Sequence, residues 1–275
     1  MRVHIISDME GVAGIVRGEQ TNAGEALYEE GRKLYTEEIN AAVRGATKAG
    51  AKKIVVMDHH GAGKAFSFNS LVPDLLDPAC DYVVQSSWTE YTGFLEEGCD
   101  ACLLVGMHAM AGTPNGVLSH TVSGREWRRL RFNGVLVGET GINAALCGTW
   151  NCPVLLVTGD EATCREATAL LGEGLTTVTV KWGLGPASAR NVAPLRAREL
   201  IEAGARNALK KLDAVEPYDP GKPAEIAVEF MTPSEVVKYR GRQGVEVTSP
   251  ESVVSRAADW WTAWRQLFLA PKLAS

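Results

Sequence analysis

Short apolar runs alternate with segments of helical periodicity over roughly the first 180 residues. Arg2–Ser7 and Lys53–Met57 are typical of strands, and the second is continuous enough to be covered on both faces. Between them, apolar residues recur at helical spacing from about Ala26 to Ala49, and Gly50 follows as a C-cap. Four later runs predict further strands: Tyr82–Val84, Ala101–Val105, Val135–Val137 and Val154–Thr158. Strands separated by helical segments indicate an α/β fold with a mainly parallel sheet flanked by helices.

The pattern changes after Trp182, where residues 183–194 (GLGPASARNVAP) are typical of a loop. The elements predicted beyond it are a helix, two strands paired with each other and a last helix: about Ala197–Leu212, Ile226–Phe230 with Gly244–Val247, and Glu251–Phe268. We therefore predict two domains. Residues 1–182 would form the α/β metal-binding catalytic domain, and residues 183–275 a smaller α+β unit packed on it.

Composition excludes several classes of protein. The chain has 275 residues, 45% of them hydrophobic, which is enough for a sizeable core. A net charge of −5 and a pI near 5.6 argue against nucleic acid as a partner. The longest apolar runs are too short to span a bilayer, and no apolar signal core follows the N-terminal Met-Arg. We expect a cytoplasmic protein without a membrane partner.

The six cysteines include one CxxC pair, Cys99 and Cys102, in GCDACLLVG. A redox motif would normally begin a helix, and a structural zinc site would need a second pair at similar spacing. This pair instead leads into an apolar run that is typical of a buried strand. We interpret these residues as structural thiols.

Candidate chemistry is concentrated at the ends of predicted strands. His4 lies inside the first strand and is expected in the core, whereas the other four histidines fall at or just past strand ends. The strand-end residues are Asp8, Glu10, His59, His60, His108, His120 and Glu139. Loops at the carboxyl ends of parallel strands share one edge of a sheet, so these side chains should converge. Imidazole and carboxylate ligands without thiolate suit zinc or a similar divalent ion, and a bridging Asp suits two ions.

Each residue alone has a simpler interpretation. Any of the three carboxylates could cap a helix or be a solvated loop charge. His60 or His108 alone is more often a hydrogen-bonded histidine at a strand end than a ligand. His59 is expected to point away from His60 because side chains alternate along a strand, and we interpret it as structural. Only the joint pattern favours a metal site.

Four sequence blocks resemble the signatures of the M55 metallopeptidases: SDMEGVAG, DHHGAG, GMHAMAGTPNGVLSHT and VGETGINA. They occur in the family's order and at similar spacing, and the resemblance extends over essentially the whole chain. It implies two zinc ions per subunit. Asp8 would bridge both ions, with Glu10 and His60 completing one side and His108 and Glu139 the other.

The resemblance also implies a catalytic role for His120, in LSHT. The family's corresponding histidine is described as a nucleophile. Alternatively, His120 would orient the oxyanion and pass a proton to the leaving amine. The implied substrates are short peptides with an N-terminal D-amino acid, especially D-Ala. The implied assembly is a homodecamer, a double ring with active sites facing an internal channel.

Three other functions compete with this hypothesis. A di-metal amidohydrolase of the creatininase type, acting on a non-peptide amide, would have a similar ligand set. A solute-binding protein of a dipeptide transporter would be exported and would not need histidines and carboxylates at one edge. A phosphoesterase would be expected to show an arginine cluster or a P-loop, and the sequence contains neither in an obvious form.

Overall fold

A computed structural model describes residues 1–63, 66–85 and 92–268, and the strands within these residues form two sheets. The strands, numbered in chain order, are β1 Arg2–Ser7, β2 Lys53–Asp58, β3 Asp81–Val83, β4 Ala101–Met107, β5 Trp127–Phe132, β6 Val135–Val137, β7 Val154–Asp160, β8 Thr176–Gly185, β9 Ser188–Asn191, β10 Ala224–Phe230, β11 Val245–Ser249 and β12 Ser252–Ala257. The helices are α1 Tyr28–Lys48, α2 Gly93–Glu96, α3 Glu139–Thr149, α4 Glu161–Leu171, α5 Pro194–Ala208 and α6 Trp260–Phe268.

The larger sheet has the order β3-β2-β1-β4-β7-β8-β9, and all of its pairs are parallel except β8 with β9. Every residue of β4 and β7 is buried, as expected for strands covered on both faces. The α/β prediction, with a mainly parallel sheet flanked by helices, is confirmed.

The strand order reverses direction beside β1. The chain runs outward from β1 through β2 to β3, and then returns to the other side of β1 with β4. In open α/β sheets, ligands bind in the crevice at the carboxyl ends of the strands where the order reverses. The loops that follow β1 and β4 border this crevice.

The smaller sheet is antiparallel, with the order β11-β12-β10-β5-β6. Val135–Val137, predicted as a strand of the parallel sheet, is β6 at the edge of this second sheet. Its neighbour β5 was not predicted. The division of the chain at residue 182 stays a prediction, and this sheet takes strands from both sides of it.

Three predictions for the C-terminal part are wrong. Residues 183–194, predicted as a loop, contain the end of β8 and the whole of β9, which pair as a hairpin. The last helix begins at Trp260 rather than Glu251, because the β-branched run at Val253 is buried in β12 against β10. That placement separates β10 from β11, so these two strands do not pair directly as predicted.

Aromatic side chains fix α6 against the antiparallel sheet. Trp264 stacks on Trp260 and on Phe268, with ring centroids 5.5 and 4.9 Å apart. Phe132 of β5 meets both tryptophan rings edge-on. Such contacts add to the hydrophobic gain from burying the rings. The helix is therefore a rigid wall of the molecule.

All six cysteines are free thiols, and Cys99 and Cys102 are buried, in agreement with a structural role. Among the described residues, no helix has the length and apolar character needed to cross a membrane.

Candidate metal centre

The six residues that the resemblance singles out lie together at the carboxyl edge of the parallel sheet. Asp8 and Glu10 follow β1, His60 follows β2, and His108 follows β4. Glu139 reaches the edge by another route, because it is the first residue of α3 and follows β6 of the antiparallel sheet. The expectation that Glu139 ends a parallel strand is therefore wrong, although its position beside the other residues is as predicted.

Close contact between the loops after β1 and β4 sets the position of Asp8. The main-chain N–H of Asp8 donates to the carbonyl of Val105, and that of Gly11 donates to the carbonyl of Gly106, at 2.9 and 2.8 Å. A Cβ on Gly11 would lie 1.9 Å from the carbonyl oxygen of Met107. Only glycine permits this approach.

The side chains form two groups that share Asp8. His60 Nδ1 lies 3.1 Å from Asp8 Oδ1 and 3.1 Å from Glu10 Oε2. His108 Nε2 lies 3.3 Å from the other oxygen of Asp8, Oδ2, and 3.4 Å from Glu139 Oε1. One carboxylate thus presents one oxygen to each group, which is the geometry of a bridging ligand.

His120 borders the second group. Its Nε2 lies 3.6 Å from Glu139 Oε1, and its ring stacks on that of His108 with centroids 4.1 Å apart. His120 is about a quarter exposed, whereas His108 is fully buried. It is therefore the imidazole of this group that a bound molecule can touch.

Main-chain carbonyls orient all three imidazoles. His60 Nε2 donates to Thr21 at 2.8 Å, His108 Nδ1 to Ala109 at 2.9 Å, and His120 Nδ1 to Leu118 at 2.8 Å. Because a carbonyl can only accept, each of these nitrogens carries a hydrogen. The opposite nitrogen of each ring faces the carboxylates, as in metal sites whose histidines are held by outer hydrogen bonds.

The donor set fits divalent metal ions. Ligand atoms around a tetrahedral zinc ion, bonded at about 2.0–2.1 Å, are separated by roughly 3.3 Å. The separations of 3.1–3.4 Å agree with this value. In addition, Glu10 Oε2 and His108 Nε2 are buried without a hydrogen-bond partner among the described residues. A cation would satisfy both atoms.

Electrostatics within the group are strong. Burial would lower the pKa of His60 and of His108, but the facing carboxylates raise both well above the usual value. Burial would likewise raise the pKa of Asp8, but the two imidazoles hold it well below its usual range. In the metal-free centre, the imidazoles of His60 and His108 are therefore protonated at neutral pH.

Two acidic residues that the sequence did not assign to the site, Glu166 and Asp160, accept hydrogen bonds from the loop that follows β4. Glu166 accepts the N–H of Met110 at 3.0 Å, and Asp160 accepts that of Val117 at 2.7 Å. Asp160 also caps α4 by accepting from Thr163 N at 2.8 Å, a local signal that an Asp before a helix could have given.

Asp58 and His59 precede His60 and make different contacts. Asp58 accepts the main-chain N–H groups of His60 and Ser70, so it caps the turn. His59, interpreted as structural, borders the cavity and lies 2.9 Å from Asn143 Oδ1 through its Nδ1.

A cavity of about 140 Å³ opens beside the centre. Its polar lining includes Asp8, Glu10, His60, His120 and Glu139. Its apolar wall includes residues of α3 and α6: Ile142, Leu146, Trp260, Trp264 and Phe268. The cavity therefore suits a small molecule that has both a coordinating polar group and an apolar part.

The whole chain matches one known family. The model of the M55 peptidases, described as D-aminopeptidase, matches residues 1–269. The chain belongs to the M55 peptidases. A D-aminopeptidase of Bacillus subtilis (strain 168) is 29% identical over 279 residues, which cover 100% of this chain and 98% of the relative.

The fold of this M55 peptidase also matches a solved structure. That structure is the Zn-dependent D-aminopeptidase DppA from Bacillus subtilis, described as a self-compartmentalizing protease. The TM-score is 0.88 at 28% identity, with 97% of this chain and 95% of the other covered. These matches identify a peptidase rather than a solute-binding protein, a phosphoesterase or a creatininase-type amidohydrolase.

Zinc uptake should release protons. The raised pKa values of His60 and His108 mean that both rings are protonated in the metal-free protein at neutral pH, and a metal must displace those protons. The affinity for zinc should therefore fall as the pH falls. Calorimetric titration in two buffers of different ionisation enthalpy measures the release. Heats that do not depend on the buffer would contradict it.

Gly11→Ala should weaken zinc binding by roughly tenfold or more, because the new Cβ would clash with the carbonyl of Met107 and displace the loop that carries Asp8. The free energy of unfolding should also fall, by about 1–3 kcal/mol. Gly61→Ala is the matched control, since a Cβ there meets no described residue within 4 Å. Chelator competition and thermal unfolding measure both effects. Equal zinc affinities in the two variants would refute the packing argument.

Proposed function

We propose that this M55 peptidase is a di-zinc aminopeptidase that removes an N-terminal D-residue, D-Ala in particular, from short peptides. One observation carries the proposal: the two oxygens of Asp8 face two separate histidine–carboxylate groups, at 3.1 and 3.3 Å. Family membership and the Zn-dependent relative support both the reaction and the metal.

In this proposal, Asp8 would be a ligand of both ions. Glu10 and His60 would hold one of them, and His108 and Glu139 would hold the other. The separations within each group support this division, as do the buried ligand atoms that lack hydrogen-bond partners among the described residues. His120 is close enough to Glu139 to be considered as a further ligand. Its partial exposure favours a role toward the substrate instead.

Zinc bound at this site would polarise the scissile carbonyl and lower the pKa of a water molecule to about 7. The chain supplies the rest of the chemistry. The carboxylates of Asp8, Glu10 and Glu139 would offset most of the charge of the two ions, so that the neutral amino group of a peptide could approach the centre. The nearby apolar wall excludes water from one side of the cavity.

His120 is the residue placed to exchange a proton with the substrate. Its Nδ1–H is committed to the carbonyl of Leu118, so Nε2 is the atom available for chemistry. From there it could attack the carbonyl or pass a proton to the leaving amine. We favour proton transfer, since two zinc ions would already supply a strong nucleophile.

We also propose that the enzyme is a homo-oligomer, and specifically a decamer. The self-compartmentalizing relative supports an assembly with enclosed active sites. Short peptides would be the substrates that reach them. A cytoplasmic location stays a prediction from the sequence.

The purified protein should contain close to two zinc ions per chain and release D-Ala from D-Ala-D-Ala or D-Ala amide. Matched L-peptides and cyclic amides should be poor substrates. Removal of zinc by a chelator should abolish release, and added zinc should restore it. Metal analysis and amino-acid chromatography provide the measurements. Turnover that persists without metal would overturn the proposal.

His120→Ala should keep both zinc ions and lose about 10²–10⁴-fold in kcat, the contribution of a general acid or base. His108→Ala should instead lose bound zinc, because the Nε2 atom that this change removes faces both Asp8 and Glu139. Zinc content and kcat measured on the same preparations separate the two roles. Loss of one zinc ion from His120→Ala would instead make His120 a ligand.

A further inference from the structure

Lys181 is a fully buried lysine in β8, directly after the buried Val180. Its Nζ reaches the loop that follows β1 and donates to three main-chain carbonyls there. The acceptors are those of Glu10 at 2.5 Å, Ile15 at 2.6 Å and Val12 at 3.0 Å. All three hydrogens of the ammonium group are thus used on one short loop.

A buried ammonium group is costly unless it is paired and fully hydrogen-bonded. Here three main-chain carbonyls accept its hydrogen bonds, and the charges of carboxylates near the same loop favour the charged form. The charges of Asp160, Glu38 and Glu10 all act on Lys181. Glu38 also accepts the main-chain N–H of Ala13 at 2.9 Å. Two buried side chains, Lys181 and Glu38, therefore hold the backbone of this loop through hydrogen bonds.

The contact of Lys181 with this loop lies closer to the Glu10–His60 half of the proposed metal centre than to the other half. Lys181 binds the carbonyl of Glu10, whose own carboxylate faces His60. The other half is held by different elements: Thr163 of α4 donates to the carbonyl of His108 at 2.9 Å, and Glu139 begins α3. A change at Lys181 should reach Glu10 first.

We propose that Lys181 is a positioning residue for the zinc site formed by Glu10 and His60. Its ammonium group donates hydrogen bonds to three carbonyls and so fixes the backbone that carries the Glu10 carboxylate. The inference rests on the proposed di-zinc centre. Lys181 itself touches neither metal nor substrate.

The test is zinc affinity, measured on the purified full-length protein by competition with a chromogenic chelator. Lys181→Met keeps the length and apolar volume of the side chain and removes the ammonium group. One of the two sites should weaken by about 10–100-fold, the usual effect of losing an outer contact, and the other by less than about threefold. Val180→Ala is the matched control, because Val180 is the buried neighbour of Lys181 in β8 and its truncation removes buried volume without removing an ammonium group.

A double mutant identifies the weakened site. In a Glu10→Gln background, Lys181→Met should cause little further loss, because both changes act on one ligand. In a Glu139→Gln background, the full effect of Lys181→Met should remain. Circular dichroism and thermal unfolding verify that each variant is folded. If Lys181→Met does not fold, Lys181→Gln, which keeps N–H donors, is measured in the same way.

The outcomes separate the two proposals. Wild-type protein that does not bind two zinc ions would overturn the proposed function. Wild-type protein that binds two ions, with both affinities unchanged or equally weakened in the Lys181 variant, would overturn only the positioning role. Equal effects of Lys181→Met and Val180→Ala would do the same, since they would reflect general loss of stability.

Discussion

The structure depends on one electrostatic constraint: buried carboxylates and imidazoles crowd a single edge of a sheet, and their charges must be balanced. Asp8, Glu10 and His60 are nearly inaccessible to water and their polar atoms lie about one ligand–ligand distance apart. Such a group is stable only if protons or metal ions lie between its members. Protons balance the carboxylate charges by converting the imidazoles to imidazolium ions. Divalent ions balance the same charges by accepting the lone pairs of the imidazoles and carboxylates. Metal ions and protons would therefore compete for this centre.

Rigid elements make that crowding possible. The reversal of strand order at β1 brings the loops after β1 and β4 into contact, and Gly11 lets their backbones meet. Main-chain carbonyls then fix the imidazole tautomers, and Glu166 of α4 holds the loop that carries His108. The imidazoles of His60 and His108 are thus supported by residues that are not themselves in the centre. Preorganisation of this kind keeps the groups together before any ion is bound.

Part of this arrangement could be predicted from the sequence. The rule that parallel strands share a carboxyl edge placed Asp8, His60 and His108 together, because it needs only the strand ends to be right. It could not predict that Glu139 follows a strand of the antiparallel sheet. The strand before it, β6, is only three residues long, and the sheet that it joins depends on its pairing with β5. The start of the last helix was predicted wrongly for a similar reason. The apolar spacing near Val253 suits a helix, but in the structure this segment is a strand paired with β10. Lys181 gave no local signal, because its acceptors are main-chain atoms some 170 positions away.

The two sheets contribute different properties to the cavity. Four of the five proposed ligands come from the parallel sheet, whereas the apolar wall includes Trp264 and Phe268 of α6, which packs on the antiparallel sheet. Changes in α6 can therefore alter which side chain fits without touching a ligand. Conversely, Glu139 joins the two parts, since α3 supplies both this carboxylate and Ile142 of the wall. Changes in α3 can therefore affect both the cavity and the proposed metal site, whereas changes in α6 affect the cavity alone.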